Sequence, residues 1–199
     1  MTSSHSYFDA LYADCDDPWG FRNRWYERRK RLLTLAMLPR ERYHHAFEPG
    51  CANGELSAQL AMRCDRLLAT DLNETAVRLA RERLADQPHV RVERRSVPQE
   101  WPADQFDLIV LSELAYYLDD ADLGRLTECI TRALSVDGTL LACHWRREFD
   151  EAAQTAARVH ALLDTECGLT RLARYEDADV LLDVWTRDSR SVAQHEGLA

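Results

Sequence analysis

A glycine-containing loop between two apolar segments constrains this chain more than any other feature. The loop occupies residues 47–54 and holds Gly50 and Gly54 where a strand would turn sharply into a helix. A second apolar run, over 67–70, ends in Asp71. An open α/β sheet binds a nucleoside with a glycine loop after its first strand and a carboxylate at the end of its second. The pattern therefore predicts such a sheet, with the loop beside the ligand and Asp71 on the ribose hydroxyls.

The rest of the chain alternates between strand-like and helix-like segments. Strands are expected near 44–48, 66–71, 89–94, 106–111 and 139–143, and helices near 54–62, 73–85, 121–134 and 151–164. The run 106–111 suits a central strand buried on both faces. Two closing strands, 169–175 and 180–186, have too short a link for a parallel crossover and must form an antiparallel hairpin. We predict a Rossmann-like α/β fold with a mostly parallel seven-stranded sheet.

The residues before the predicted sheet form a helical extension. Helices are expected over 6–14 and roughly 21–37, the second with apolar residues at helical spacing: Phe21, Trp25, Leu32 and Ala36. The stretch 21–42 holds eight basic and two acidic residues, which indicates a solvated helix face or a site for an anionic group. We predict one domain over 1–199, with a helical N-terminal cap or lid over 1–40, a Rossmann-like core over 41–187 and a mobile tail over 188–199.

Composition limits the classes of partner. The net charge of −9 argues against nucleic-acid binding, which needs many cations to neutralise phosphates. The sequence shows no run of 18 apolar residues and no signal peptide, so we expect a cytoplasmic protein with no membrane partner. The six cysteines form no C-x-x-C pair and the seven histidines no H-x-x-x-H pair, so no metal site is expected. The oligomeric state is not determined by these features.

The loop pattern also distinguishes between nucleoside cofactors. The dinucleotide pattern G-x-G-x-x-G would need glycines at two positions that hold Ala52 and Glu55. The segment 48–54, Glu-x-Gly-x-Ala-x-Gly, instead resembles motif I of the S-adenosylmethionine (SAM) methyltransferases, with Ala52 in place of the usual middle glycine. This resemblance implies SAM as the cofactor and S-adenosylhomocysteine (SAH) as its product.

Motifs spread over about residues 7 to 186 resemble the nodulation methyltransferase NodS and its wider family. They are Asp-Pro-Trp-Gly-Phe at 17–21, Arg-Trp-Tyr-Glu at 24–27, Phe-Glu-Pro-Gly-Cys at 47–51, Trp-Pro at 101–102, Phe-Asp-Leu-Ile-Val-Leu-Ser-Glu at 106–113, Tyr-Tyr-Leu at 116–118 and His-Trp-Arg at 144–146. The resemblance implies a class I SAM-dependent methyltransferase. The founding activity of that family is N-methylation of the free amine on a partly deacetylated chitooligosaccharide, which implies a small amine or sugar acceptor.

Position in the predicted fold assigns the cofactor-binding residues. The methionine part of SAM would lie against Glu48, Gly50 and Gly54; the alternative for the two glycines is a purely structural turn. Either Arg24 or Arg28 would bind the SAM carboxylate through its planar fork. Leu72 and Val97 would flank adenine with Ser96 at its edge, and the predicted set is completed by Trp19, Cys51, Asp71 and Ser112.

The predicted catalytic residues follow the fourth and fifth strands, where ligands bind in open sheets. Glu113 or His144 would accept the proton of the acceptor amine, and Tyr116 completes the set. The alternative for His144 is a hydrogen-bonded residue at a strand end. Aromatic faces stack on sugars and attract cations, so the predicted substrate-binding residues are Asp17, Trp25, Tyr26, Tyr117 and Trp145. Core packing for Trp25 and a turn or N-cap role for Asp17 stay open.

Three functions are consistent with these residues. The leading hypothesis is a SAM-dependent N-methyltransferase acting on an amino sugar or a similar small amine. The second is a small-molecule O-methyltransferase, because a carboxylate and a histidine serve a hydroxyl acceptor as well as an amine. The third is a SAM-binding sensor module without chemistry, against which the full set of acceptor-side residues argues.

Overall fold

Seven strands form one sheet in the order β3-β2-β1-β4-β5-β7-β6. This computed structural model describes residues 2–199, and side chains from residue 6 onward. The strands are β1 (Tyr43–Pro49), β2 (Cys64–Asp71), β3 (Val90–Arg94), β4 (Phe106–Ser112), β5 (Leu134–Trp145), β6 (Thr170–Glu176) and β7 (Val180–Thr186). The first five pair in parallel, whereas β7 lies between β5 and β6 and runs antiparallel to both. The predicted sheet with its terminal hairpin is confirmed.

Helices precede, connect and follow the strands of the sheet. Their bounds are α1 (Thr2–Asp14), α2 (Trp25–Met37), α3 (Glu55–Leu60), α4 (Glu74–Arg83), α5 (Asp120–Ala133), α6 (Ala156–Glu166) and α7 (Val192–His195). Asn73, the expected N-cap of α4, accepts a hydrogen bond from the Ala76 N–H at 2.9 Å. Thr155 caps α6, which therefore begins later than expected. Within residues 2–199 no helix is both long and apolar enough to cross a membrane.

The second helix begins at Trp25 rather than near residue 21. The carboxylate of Asp17 accepts hydrogen bonds from the N–H groups of Phe21 and Arg22, at 2.8 and 3.0 Å. These bonds hold the preceding segment in a turn instead of a helix. The Asn53 side chain also donates to Asp17, at 3.0 Å, so the turn is attached to the glycine loop. Asp17 therefore takes the turn role that was its alternative assignment.

The core occupies both faces of the sheet. In β4, Ile109 and Leu111 pack in one apolar cluster with α5 and α6, while Leu108 and Val110 pack in the opposite cluster with α3. All four side chains are fully buried. Alternate residues of a strand point to opposite faces, so this arrangement confirms the prediction of a central strand covered on both sides.

The second helix buries polar rather than apolar residues. Its buried side chains are Glu27, Lys30, Arg31 and Thr34, which we call the polar face of α2. Two of the expected apolar positions, Trp25 and Leu32, are 63% and 55% exposed. The reading of Trp25 as a core residue is therefore wrong. The polar face is buried because it lies over a cavity at the carboxyl edge of the sheet.

Candidate active site

A cavity of about 460 Å³ lies at the carboxyl ends of β1, β2, β4 and β5. Helix α1 contributes Tyr7, Phe8 and Tyr12 to its wall, and the polar face of α2 closes another side. Tyr12 is buried and packs against Trp19 and α4, which attaches the N-terminal helix to the core. The volume is typical of a small-molecule site, and its place in the sheet is where open α/β folds bind ligands.

The glycine loop contains three residues of positive φ. Gly50 (76°) and Gly54 (80°) are accompanied by Ala52 at 49°, the residue that replaces a glycine of the motif. The Ala52 N–H donates to Oδ2 of Asp71 at 2.9 Å. A Cβ on Gly54 would lie 3.1 Å from the Cα of Ala80, so α4 packs directly on this glycine. Gly50 lines the cavity and Gly54 does not, so Gly54 takes the structural role that was its alternative.

Two carboxyl groups flank the loop. Asp71 accepts a second backbone hydrogen bond, from Asn73, at 2.9 Å, but burial still raises its pKa. Glu48 is 2% exposed and accepts a hydrogen bond from the Ser57 hydroxyl at 2.5 Å. Burial raises the pKa of Glu48 to about 8 because a buried carboxylate without a cation is poorly solvated. Both side chains line the cavity.

The structure brings almost the whole predicted cofactor set to this cavity. Gly50 follows β1, Asp71 ends β2, and the loop after β3, the outermost strand on this side of the sheet, supplies Ser96 and Val97. The predicted residues that line it are Trp19, Arg24, Glu48, Gly50, Cys51, Asp71, Leu72, Ser96, Val97 and Ser112. Arg28 does not line it; its guanidinium lies over the exposed ring of Trp25, 5.8 Å from the centroid.

The opposite end of the cavity is centred on Glu113, the residue after β4. Its φ of 55° is unusual for a residue other than glycine, and such strain clusters at functional sites. Oε1 accepts a hydrogen bond from Lys30 at 2.7 Å. Oε2 accepts from the Trp145 N–H at 2.9 Å and also from the Tyr116 hydroxyl. Both oxygens of Glu113 are therefore engaged by the protein.

The polar face of α2 supplies site residues that the sequence did not indicate. Lys30 Nζ lies 2.9 Å from Oε2 of Glu27, and both side chains are less than 10% exposed. Burial lowers the pKa of Lys30 and the Glu113 carboxylate raises it, with a net shift upward. Arg31 donates to the Phe21 carbonyl at 2.8 Å, while its Nε is buried without a partner in the described part of the chain. The available signals were that Glu27 belongs to the motif at 24–27, that Arg31 belongs to the basic stretch 21–42, and that Lys30 is the only lysine in the chain.

Aromatic rings form the walls around this end. Tyr26 meets Trp145 edge to face, with centroids 5.2 Å apart. Tyr117 contacts Phe8 of α1 at 5.0 Å and Phe149 at 5.6 Å. Tyr26, Tyr117 and Trp145, predicted as substrate-binding residues, all line the cavity, as does Tyr116. Among the side chains of residues 6–199 no group of three histidine, cysteine or acidic residues is arranged to hold a metal ion.

Comparison with known proteins agrees with this geometry. The family model described as Nodulation protein S (NodS) matches residues 9–166. The chain belongs to the NodS family. Nodulation protein S of Rhizobium tropici is 34% identical over 145 residues, covering 69% of this chain and 60% of the relative. The chain thus spans less than two thirds of that relative's length.

Solved structures show the same fold. The N-methyltransferase NodS from Bradyrhizobium japonicum WM9, in complex with SAH, superposes with a TM-score of 0.80 at 25% identity, covering 92% of this chain and 97% of that one. A protein from Pseudomonas syringae, provisionally described as a methyltransferase, is 59% identical with a TM-score of 0.75, covering 82% of this chain and all of that one. The fold is therefore that of class I SAM-dependent methyltransferases, as the NodS resemblance implied.

One predicted catalytic residue of this NodS-family chain lies outside the cavity. His144 is fully buried, and its Nε2 accepts a hydrogen bond from the Ala115 N–H at 3.2 Å. Its Nδ1–H consequently donates to Nε2 of His160 at 2.9 Å, and Nδ1–H of His160 donates to Asp183 at 2.8 Å. Burial lowers the pKa of both histidines, which are neutral in this chain of hydrogen bonds. His144 cannot reach a substrate proton; it holds the loop that carries Glu113.

Two predicted substrate-binding residues also lie elsewhere. Asp17 does not line the cavity, because its carboxylate is used by the turn before α2. Trp25 lies on the solvent side of α2, opposite the polar face that borders the cavity. Asp17 thus takes the turn role that stayed open for it, whereas the position of Trp25 follows from the polar face of α2 being turned inward, which was not predicted.

Proposed function

We propose that this protein is a SAM-dependent methyltransferase that N-methylates the amine of a small molecule, such as an amino sugar. The observation that carries the proposal is a single cavity with the predicted nucleoside residues at one end and Glu113, with its ring of aromatic side chains, at the other. Membership in the NodS family and the likeness to an SAH-bound N-methyltransferase support both SAM as the cofactor and an amine as the acceptor. The acceptor would be a small molecule, because the cavity has the volume of a small-molecule site.

The side chains present fit a bound SAM. Four buried polar atoms without partners belong to residues that line the cavity: Tyr12 Oη, Tyr26 Oη, Arg31 Nε and Asn53 Oδ1. Buried polar groups in proteins normally have partners, so such a concentration indicates a ligand site. Asp71 would accept hydrogen bonds from the ribose hydroxyls, and Leu72, Ser96 and Val97 would surround adenine.

The guanidinium of Arg31 is the better candidate for the SAM carboxylate. Arg31 is 6% exposed with a free Nε, whereas Arg24 is exposed and Arg28 lies outside the cavity. A planar fork suits a carboxylate, and burial strengthens the pairing. SAM supplies an electrophilic methyl group on its sulfonium sulfur. The protein's own task is to hold an unprotonated amine in line with that methyl and to exclude water.

Calorimetric titration with SAH tests the cofactor half of the proposal. We expect binding to the wild type and a loss of about a hundredfold or more in Asp71→Ala, because hydrogen bonds to a carboxylate are among the strong ones. Asp71→Asn is the control for loop collapse, since it keeps an acceptor for the Ala52 N–H. No SAH binding to the wild type would refute the proposal, and normal affinity in Asp71→Ala would refute the ribose assignment.

Measurement of methyl transfer tests the part of the proposal that concerns the acceptor. The protein and SAM would be incubated with glucosamine, chitooligosaccharides and simple amines, and the methyl group located in the product by mass spectrometry. A methylated nitrogen is the expected result. Methylation of a hydroxyl would instead establish the O-methyltransferase alternative. SAH binding without turnover on any acceptor would favour the sensor module.

A further inference from the structure

The acceptor end of the cavity holds two carboxylates and one ammonium group. Lys30 Nζ lies between Glu27 and Glu113, at 2.9 and 2.7 Å, and the three side chains are 7%, 9% and 16% exposed for Lys30, Glu27 and Glu113. One cation neutralises one carboxylate. Within this hydrogen-bonded trio the carboxylates outnumber the ammonium by one, and Arg31 acts on Glu27 only through space. An excess carboxylate largely removed from water is costly unless a cation or a proton joins it.

The two carboxylates differ in how many hydrogen-bond donors they already receive from the protein. Glu113 receives Lys30 on one oxygen, and the Tyr116 hydroxyl and the Trp145 N–H on the other. Glu27 has Lys30 as its one polar partner among residues 6–199: Nζ donates to Oε1 at 3.2 Å and lies 2.9 Å from Oε2, which receives no further donor. Glu27 is 7% exposed and lines the cavity. The unused acceptor capacity of the cluster is thus on Glu27 of α2, which has one donor, and not on Glu113, which has three.

Other charges do not satisfy Glu27. Arg31 lies one position beyond Lys30 on the same helix, but its hydrogen bond goes to the Phe21 carbonyl and it makes no ion pair within the described residues. Burial lowers the pKa of Arg31, with Glu55 and Glu27 acting in the opposite direction. Burial raises the pKa of Glu27, Lys30 lowers it, and Glu113 raises it again. A carboxylate in this state gains most from a cationic ligand.

We propose that Glu27 is the residue that selects an amine over a hydroxyl acceptor. It would bind the acceptor as an ammonium ion, with the rings of Tyr26 and Trp145 beside it. This inference rests on the proposed methyltransferase function and names the charge class of its substrate. An alcohol of the same shape brings no charge to balance the cluster, so the buried carboxylate rejects it.

The same carboxylate can make the amine reactive. An N–H proton of the ammonium passes to Oε2 of Glu27, which leaves a neutral amine and a carboxylic acid. The nitrogen lone pair then forms a bond to the methyl carbon while the carbon–sulfur bond breaks, with its electrons going to sulfur. The products are SAH and a methylated ammonium ion, and Glu27 releases its proton to solvent.

The proposal can be tested before the substrate is identified, by comparing the binding of amines with that of alcohols of similar shape. SAH-saturated protein would be titrated by ligand-observed NMR with glucosamine and glucose, ethanolamine and ethylene glycol, and benzylamine and benzyl alcohol. We expect the wild type to bind the amine of a pair about tenfold or more tightly than its hydroxyl partner. Glu27→Gln, which keeps the shape and removes the charge, should reduce this ratio to about threefold or less.

Control variants distinguish the effect of the Glu27 charge from the effect of a damaged fold. Glu41→Gln removes an exposed carboxylate that lies outside the cavity and should retain the wild-type preference. Glu27→Asp keeps the charge on a shorter side chain and should retain the amine preference at weaker affinity, which also covers the case in which Glu27→Gln does not fold. SAH affinity of each variant is measured first, as the check on a correctly formed cofactor site.

Several results would overturn the inference. Equal binding of amines and alcohols to the wild type would do so, as would no amine binding up to about 50 mM, where a millimolar Kd is readily detected. A preference that survives in Glu27→Gln would place the selection elsewhere. Failure of the wild type to bind SAH refutes the proposed function itself, whereas SAH binding without amine preference refutes only the role of Glu27.

Discussion

Helices α5 and α2 have similar lengths, yet the side chains that they bury most deeply are of different kinds. In α5, Leu123, Leu126 and Ile130 face the sheet and are at most 1% exposed. In α2 the polar face is buried, while Trp25 and Leu32 face solvent. Each helix also carries an acidic and a basic residue three positions apart, paired at 2.9 Å.

The difference comes from what each helix covers. The strands under α5 present apolar side chains, so burying leucines there removes hydrocarbon from water. Helix α2 covers a cavity edged by Glu113 and the ends of the strands, where polar groups find charged partners. A helix that closes a ligand site can therefore bury its polar face, provided that each buried charge has a partner or a ligand.

The largest effect should come from breaking the buried ion cluster. Lys30→Met leaves Glu27 and Glu113 without a cation, and we expect it to lower the free energy of unfolding by about 3–5 kcal/mol. Urea unfolding at neutral pH measures this. The matched control is Arg125→Met on α5, which breaks an ion pair of the same spacing whose arginine is 58% exposed and whose buried Asp122 keeps a hydrogen bond from Gln99 at 2.8 Å. That change should cost about 0–1 kcal/mol. Equal losses in the two variants would show that burial does not distinguish the pairs.

Glu48, a buried carboxyl group without a cationic partner, should make the free energy of unfolding depend on pH. Burial raises the pKa of Glu48 from 4.5 to about 8 in the folded protein. Between those values the folded chain keeps a proton that the unfolded chain has released, so stability falls as pH rises. From about pH 5.5 to about pH 8.5, the cofactor-free wild type should lose about 2–3 kcal/mol more than Glu48→Gln. Parallel stability profiles for the two proteins would contradict the neutral form of Glu48.

The smallest effect is expected on the solvent face of α2. Leu32 is 55% exposed, so Leu32→Lys should change the free energy of unfolding by less than about 0.5 kcal/mol. Thermal unfolding of the variant, with light scattering of both proteins, checks this. A loss above about 1.5 kcal/mol, or a change in oligomeric state, would mean that this face is covered in solution.

Much of the fold was predictable because its signals are local. The buried run of β4 and the short link of the terminal hairpin depend on residues close together in the chain, and both predictions are confirmed. The placement of β7 between β5 and β6 was not predicted. Strand order is decided by long-range pairing, which a local pattern of apolar residues does not encode.

The candidate site likewise contains residues that could be predicted from the sequence and residues that could not. The loop after β1 and Asp71 lie together because parallel strands end at one edge of a sheet, so their juxtaposition follows from order along the chain. His144 was misjudged because its partners, Ala115, His160 and Asp183, come from distant parts of the sequence. At a strand end, a histidine bound within the protein and one facing a substrate have the same local sequence.

The sequence by itself determined the alternating strands and helices, the glycine loop, Asp71 and membership in the NodS family. Only the tertiary structure decided which face of α2 is buried, and with it the roles of Glu27, Lys30 and Arg31. The physical reason is that helical periodicity separates two faces without stating which of them meets protein. That choice depends on the charges and the cavity beneath the helix, which are assembled from residues far apart in the chain.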